Sequence, residues 1–139
     1  MVEEVTLDSS VLVSAFVKGD EFRPKARRIM ESVFSGECRV VTSVIVFVEV
    51  CGAISRRVGV DKALLVKDQL VEWEEMGFLV WSELTRKRME EAAELAIELK
   101  LRGMDAIVVQ VAREKKRKLI TFDEEVAKKA EAVVEVSTG

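Results

Sequence analysis

The sequence contains no histidine, no tyrosine and no asparagine, a single proline (Pro24) and two cysteines (Cys38 and Cys51). Each shortage removes a class of chemistry. Without His there is no Ser-His-Asp or Cys-His catalytic group. Two cysteines with no imidazole beside them cannot complete a zinc site on their own. No uncharged apolar run approaches the ~18 residues that would suggest a membrane span. The opening stretch "MVEEVTL" is acidic and leads straight into a strand-like pattern, so no signal peptide is expected and the cytoplasm is the expected compartment. The lack of Asn and scarcity of Gln, set against abundant Lys, Glu, Arg and Val, fits a thermophilic source. In such a cell an intracellular Cys38–Cys51 disulfide stays an open alternative.

What is present describes one domain over residues 1–139, with 49% hydrophobic and 34% charged residues, large enough to bury a core without staples. The net charge of −3 argues against a broad electrostatic footprint on nucleic acid. Binding of that kind would need local patches such as "KARR" (25–28), "RR" (56–57), "RKR" (86–88) or "REKKRK" (113–118), though each taken singly is favoured as a solvated helix face.

The chain reads as strands alternating with helices. "EVTL" (4–7) is a strand, followed by Asp8-Ser9-Ser10 capping a helix over 10–17. Pro24 suits the first turn of a second helix, with Ala26, Ile29, Met30, Val33 and Phe34 on one face and Gly36 stopping it. "CRVVT" (38–42) is the next strand. The Val- and Ile-rich run over 43–57 has strand propensity, but Thr42-Ser43 can cap it and its length favours a helix. Asp61 is expected to cap a helix carrying Leu64, Leu65, Val71 and Trp73, ending at Gly77. "FLVWS" (78–82) is a strand. A helix carrying Met89, Ala92, Ala93, Ala96 and Ile97 breaks at Gly103, and another starts near Asp105. "KLIT" (118–121), a helix in "DEEVAKKAEA" and a strand "VVEV" (133–136) complete the pattern. Apolar strands separated by long helices predict an α/β fold with a parallel sheet covered on both faces.

In such a sheet ligands bind beyond the carboxyl ends of the strands. Asp8, Glu49, Asp105 and Asp123 all have access to that end. The three aspartates are also placed where helix N-caps sit, and capping alone would account for each. Glu49 resists that account, because it lies mid-helix in "SVIVFVEVCGAI". An isolated buried carboxylate is costly, so Glu49 faces water, pairs with an arginine such as Arg56, or holds a cation. An oxygen-only donor set selects Mg²⁺ or Mn²⁺, an arrangement suited to phosphodiester hydrolysis.

"LDSSVLV" with Asp8, a Glu in an apolar helix (Glu49), "GMDAIVVQVA" with Asp105 and "LITFD" with Asp123, in that order, resemble the PIN-domain ribonucleases. The chain is most similar to the short VapC-type toxins of toxin–antitoxin pairs. The resemblance implies a Rossmann-like fold with a central parallel sheet of about five strands and an acidic pocket for Mg²⁺ or Mn²⁺. Its four acidic positions fall on Asp8, Glu49, Asp105 and Asp123, and its small hydroxyl residues on Ser10 and Thr121, which would orient the carboxylates or simply cap local backbone. It further implies RNA as substrate, a homodimer and a small VapB-type antitoxin whose tail fills the pocket. Similar domains process RNA outside toxin–antitoxin systems, and an idle pocket would leave a binding module. Two other acidic-pocket classes fit less well. A phosphoacceptor receiver would place a Lys where "LITFDEE" offers acid, and an Asp-nucleophile phosphatase would want a second Asp where Ser10 stands.

Overall fold

A computed structural model of the chain describes residues 2–139. The elements run β1 (Glu3–Leu7), α1 (Ser9–Phe16), α2 (Arg23–Phe34), β2 (Cys38–Ser43), α3 (Val44–Arg57), α4 (Val60–Glu75), β3 (Leu79–Ser82), α5 (Arg86–Leu99), α6 (Gly103–Lys115), β4 (Lys118–Ile120), α7 (Glu124–Ala130) and β5 (Val136–Ser137). The five strands form one parallel sheet in the order β3-β2-β1-β4-β5. Right-handed crossovers put α1–α4 on one face and α5–α7 on the other.

The strand order reverses beside β1, which pairs with β2 on one side and β4 on the other. Connections leave these two neighbours toward opposite faces, and the chain parts above them. Such a switch point opens a crevice at the carboxyl ends of the strands. Asp8 follows β1 and Asp123 follows β4, so the topology alone sets both at the rim of that crevice. The end of β2 turns at once into α3, whose N-cap Ser43 accepts a hydrogen bond from the Ile45 amide. That cap decides helix over strand for the Val-rich segment. α3 passes close enough to touch α6 across the sheet end.

The core is aliphatic: Leu7, Leu12, Met30, Ile54, Leu70, Leu79, Leu95 and Leu119 are fully buried, each contributing roughly 1.5–3 kcal/mol by removal from water. Among the described residues no helix is long and apolar enough to cross a membrane.

Several local expectations are corrected. Asp61 does not cap α4; Gly59, at φ 135°, is the N-cap and Asp61 lies in the first turn. On α4 the sheet side takes Ala63, Val66, Leu70 and Trp73, while Leu64, Leu65 and Val71 are exposed. On α5 Ala92 and Leu95 go inward and Met89 and Ile97 outward. Both helices carry two apolar stripes, and only one of each faces the core. Gly103 does not break α5, which ends at the left-handed Lys100; Gly103 is the first residue of α6. The last strand is confined to Val136–Ser137, because the 133–134 backbone amides are used in a turn on Ala130. Cys38 and Cys51 are both free thiols.

Candidate active site

Asp8 is buried between β1 and β4 and is the most constrained side chain of the crevice. Its Oδ1 accepts from the Ser10 amide at 2.9 Å and from the Ser10 hydroxyl, and its Oδ2 accepts from the Thr121 hydroxyl. The two hydroxyls are themselves oriented. Ser10 Oγ accepts from the Phe122 amide and Thr121 Oγ1 from the Asp123 amide, each at 3.1 Å. With those lone pairs engaged by backbone donors, the hydroxyl protons are directed at Asp8. Burial pushes the Asp8 carboxyl above the usual carboxylate range, and the bonds from Ser10 and Thr121 oppose that rise. Asp8 caps α1 at the same time, so capping and a fixed carboxylate are one arrangement here.

Asp123 caps α7 through Oδ1, which accepts from the Glu125 and Val126 amides at 3.0 and 3.1 Å; the residue is otherwise exposed. Asp105 is different. It sits in the first turn of α6, where Arg102 is the N-cap, and it caps nothing. Half-buried, it accepts no hydrogen bond from any described residue. Its pKa is raised to about 6, first by burial and then by the negative charges of Asp123, Asp8 and Glu49, against a small opposing pull from Arg102.

Among the described residues, Glu49 does not pair with Arg56. Its side chain is half-buried, makes no ion pair among the described residues, and lies within the field of Asp105 across the α3–α6 contact. The structure therefore brings all four acidic residues into one electrostatic cluster. No three described acidic side chains close on a single point, however. The donor set is all oxygen, and the repulsion that raises Asp105 is the kind a hard divalent cation relieves. On chemistry and charge the residues fit such an ion.

Three of the four expected basic patches are partly paired. Arg57 pairs with Asp20 at 2.8 Å, Arg88 with Glu114 at 2.9 Å, and Arg117 with Glu4 at 2.9 Å. The sequence reading overlooked the cations that do line the crevice beside Asp105 and Asp123: Lys100, Arg102 and Lys129. Lys100 and Arg102 stand two apart and Lys129 follows Lys128, pairs too short to stand out among the many other basic residues. A concavity of about 410 Å³ lies elsewhere, between α5 and α6. There Gln110 donates to Glu91 and Glu114 at 2.9 and 3.0 Å and Arg88 clasps Glu114, and the remaining carboxylate of the lining, Glu94, is exposed to solvent, unlike the half-buried Asp105.

The PIN domain family model matches residues 5–132. The chain belongs to the PIN domain family. No curated protein matches it. Among solved structures, this PIN domain is similar to VapC20 of Mycobacterium tuberculosis, a sarcin-ricin loop cleaving toxin, at 23% identity and TM-score 0.75, covering 95% of this chain and 98% of that one. It is also similar to VapBC2 from Rickettsia felis bound to a promoter DNA fragment, at 16% identity and TM-score 0.70 over 96% and 97% of the two chains. A DNA-bound VapBC from Salmonella typhimurium matches at 12% identity and TM-score 0.68 over 99% and 98%. These likenesses establish the shared fold.

Proposed function

We propose that this PIN domain is an endoribonuclease dependent on Mg²⁺ or Mn²⁺ and the toxin of a VapBC-type toxin–antitoxin pair. The observation that carries the reading is Asp105, a carboxylate with no partner, raised to about 6 by burial and by three other acids at the sheet switch point. A pocket with no task has no physical reason to keep that repulsion. The toxin assignment is supported by the similarity to VapC20 and to the VapBC assemblies. Action on cellular RNA would place the protein in the cytoplasm. Two exposed apolar faces, Met89–Ile97 on α5 and Val48–Leu64–Leu65 on α3 and α4, leave room for a second copy and for an antitoxin.

Asp8, Glu49, Asp105 and Asp123 would hold the ion. When bound, such a cation activates a water and offsets charge growing on the phosphate. Ser10 and Thr121 fix the plane of Asp8, and their own orientation is set by the Phe122 and Asp123 amides. That geometry is held by the backbone between β4 and α7, so the carboxylate does not have to be ordered when substrate arrives.

The test is cleavage of a labelled RNA mixture with Mn²⁺ by the wild type, Asp8→Asn and Asp105→Asn, prepared identically. Cleavage by the wild type alone, abolished by chelator, is the expected result. Equal cleavage by all three would contradict the proposal.

A further inference from the structure

We infer that Arg102 is a phosphate-binding residue of this site, gripping the backbone of the RNA strand next to the carboxylates. The inference rests on the nuclease reading and deepens it by assigning the group that recognises the substrate's charge. Four acids at the crevice repel a polyanion, so something near them must attract it. Arg102 is exposed, lines the same crevice as Asp105 and Asp123, and has no ion pair among the described residues. Its charge nonetheless reaches the crevice, because it pulls against the rise in Asp105 and lowers Glu125.

Its backbone is fixed on both sides. The Arg102 carbonyl accepts from the Ala106 amide at 2.9 Å, opening α6. Before it, Leu101 is buried and its amide donates to the Ala96 carbonyl at 3.2 Å. Lys100 adopts φ 57°, in the left-handed region, and Lys129 Nζ donates to its carbonyl at 2.9 Å. A left-handed Lys is unfavourable by itself, and here the surrounding bonds hold it. The segment thus turns sharply between α5 and α6 and sets the guanidinium at the crevice rim. Lys129 is committed to Glu125 at 2.7 Å as well as to Lys100. Arg102 is uncommitted. Its planar fork suits two phosphate oxygens at once, which an ammonium cannot match.

The test is fluorescence anisotropy of a labelled single-stranded oligoribonucleotide in Ca²⁺ over a salt series, with wild type, Arg102→Ala, Arg102→Lys and Arg113→Ala. Arg113 lies at the far end of α6 and serves as control. The expected loss for Arg102→Ala is about tenfold in affinity, with the salt slope reduced by about 0.7. Arg102→Lys should recover part of the affinity and Arg113→Ala should match wild type. A parallel Mn²⁺ melting series should show the metal response kept in Arg102→Ala, which separates substrate binding from damage to the acidic cluster. Equal affinity and slope for wild type and Arg102→Ala would overturn the inference and leave the nuclease reading standing. No binding of the RNA by wild type would overturn the inference, and absence of RNA cleavage would independently remove the reading beneath it.

Discussion

Two carboxylates of the same helix, α6, are driven in opposite directions. Glu114, near its C-terminus, is brought down to about 2 by the hydrogen bond from Arg88 first, with Gln110 and Lys115 adding to it. Asp105, at its N-terminus, is pushed up to about 6 by burial and by three neighbouring acids. Residue type does not distinguish them; their partners do. Glu114 itself has been given Arg88, Gln110 and Lys115 as complements, which is what a structural network requires. Around Asp105 no complement is present among the described residues, and burial and the neighbouring acids make its ionised form unfavourable. Perturbed carboxylates gather at functional sites for this reason.

The largest effect expected from this contrast is on chemistry. Asp105→Asn or Asp8→Asn should lower Mn²⁺-dependent RNA cleavage at least about a hundredfold, whereas Glu114→Gln should leave it within about threefold; initial rates on one labelled RNA measure all three. Thr121→Val comes next. It removes the proton aimed at Asp8 Oδ2 and should weaken Mn²⁺ binding about 10- to 100-fold, read by calorimetric titration, with the fold intact by circular dichroism.

Stability should show the contrast with reversed sign. Glu114→Ala should destabilise the protein by about 1 kcal/mol or less, since the pair with Arg88 is partly exposed. Asp105→Asn should raise the melting temperature in chelator at pH 7.5 by about 1–3 °C, because the repelled charge is gone. The pH dependence follows from the directions. Asp105 has a folded pKa raised to about 6 above its ordinary 3.8, so its contribution is most favourable at low pH and is lost as pH rises through about 6. Glu114 is lowered to about 2 from 4.5, so its contribution is present above 4.5 and lost as pH falls toward about 2. The advantage of Asp105→Asn should therefore shrink between pH 7.5 and pH 4.5, while the deficit of Glu114→Ala should shrink only below about pH 4.5. Melting curves over that range follow both.

The acidic end of this comparison was legible in the sequence because strand ends are legible. Asp8 and Asp123 each follow a short apolar strand, and parallel α/β topology gathers such ends. Glu49 stood out because an ionised group in an apolar helix demands an explanation. Asp105 was read as opening a helix and as a possible cap; the helix starts at Gly103 instead and leaves it no backbone amide to cap. The Glu114 network was only half legible: Gln110 and Glu114 stand four apart on α6, but Arg88 and Glu91 join them only because α5 packs on α6. The inward stripes of α4 and α5 were missed for a related reason. Leu64, Leu65 and Ile97 are more apolar than the Ala63 and Ala92 that actually face inward, and hydrophobicity alone cannot tell a face turned to the sheet from one left for another chain. Arg102 carries no signal until the turn between α5 and α6 is seen.

The measurement that bears most directly on the central claim is the melting temperature with and without millimolar Mn²⁺ for wild type, Asp105→Asn and Glu114→Gln. An ion that binds only the folded protein at tenfold over its dissociation constant adds about 1.4 kcal/mol, a shift of a few degrees for a chain of this size. The expected result is that wild type and Glu114→Gln rise together while Asp105→Asn loses most of the rise. An equal shift in all three proteins, or none in wild type, would contradict the assignment of the four carboxylates as a divalent-cation site.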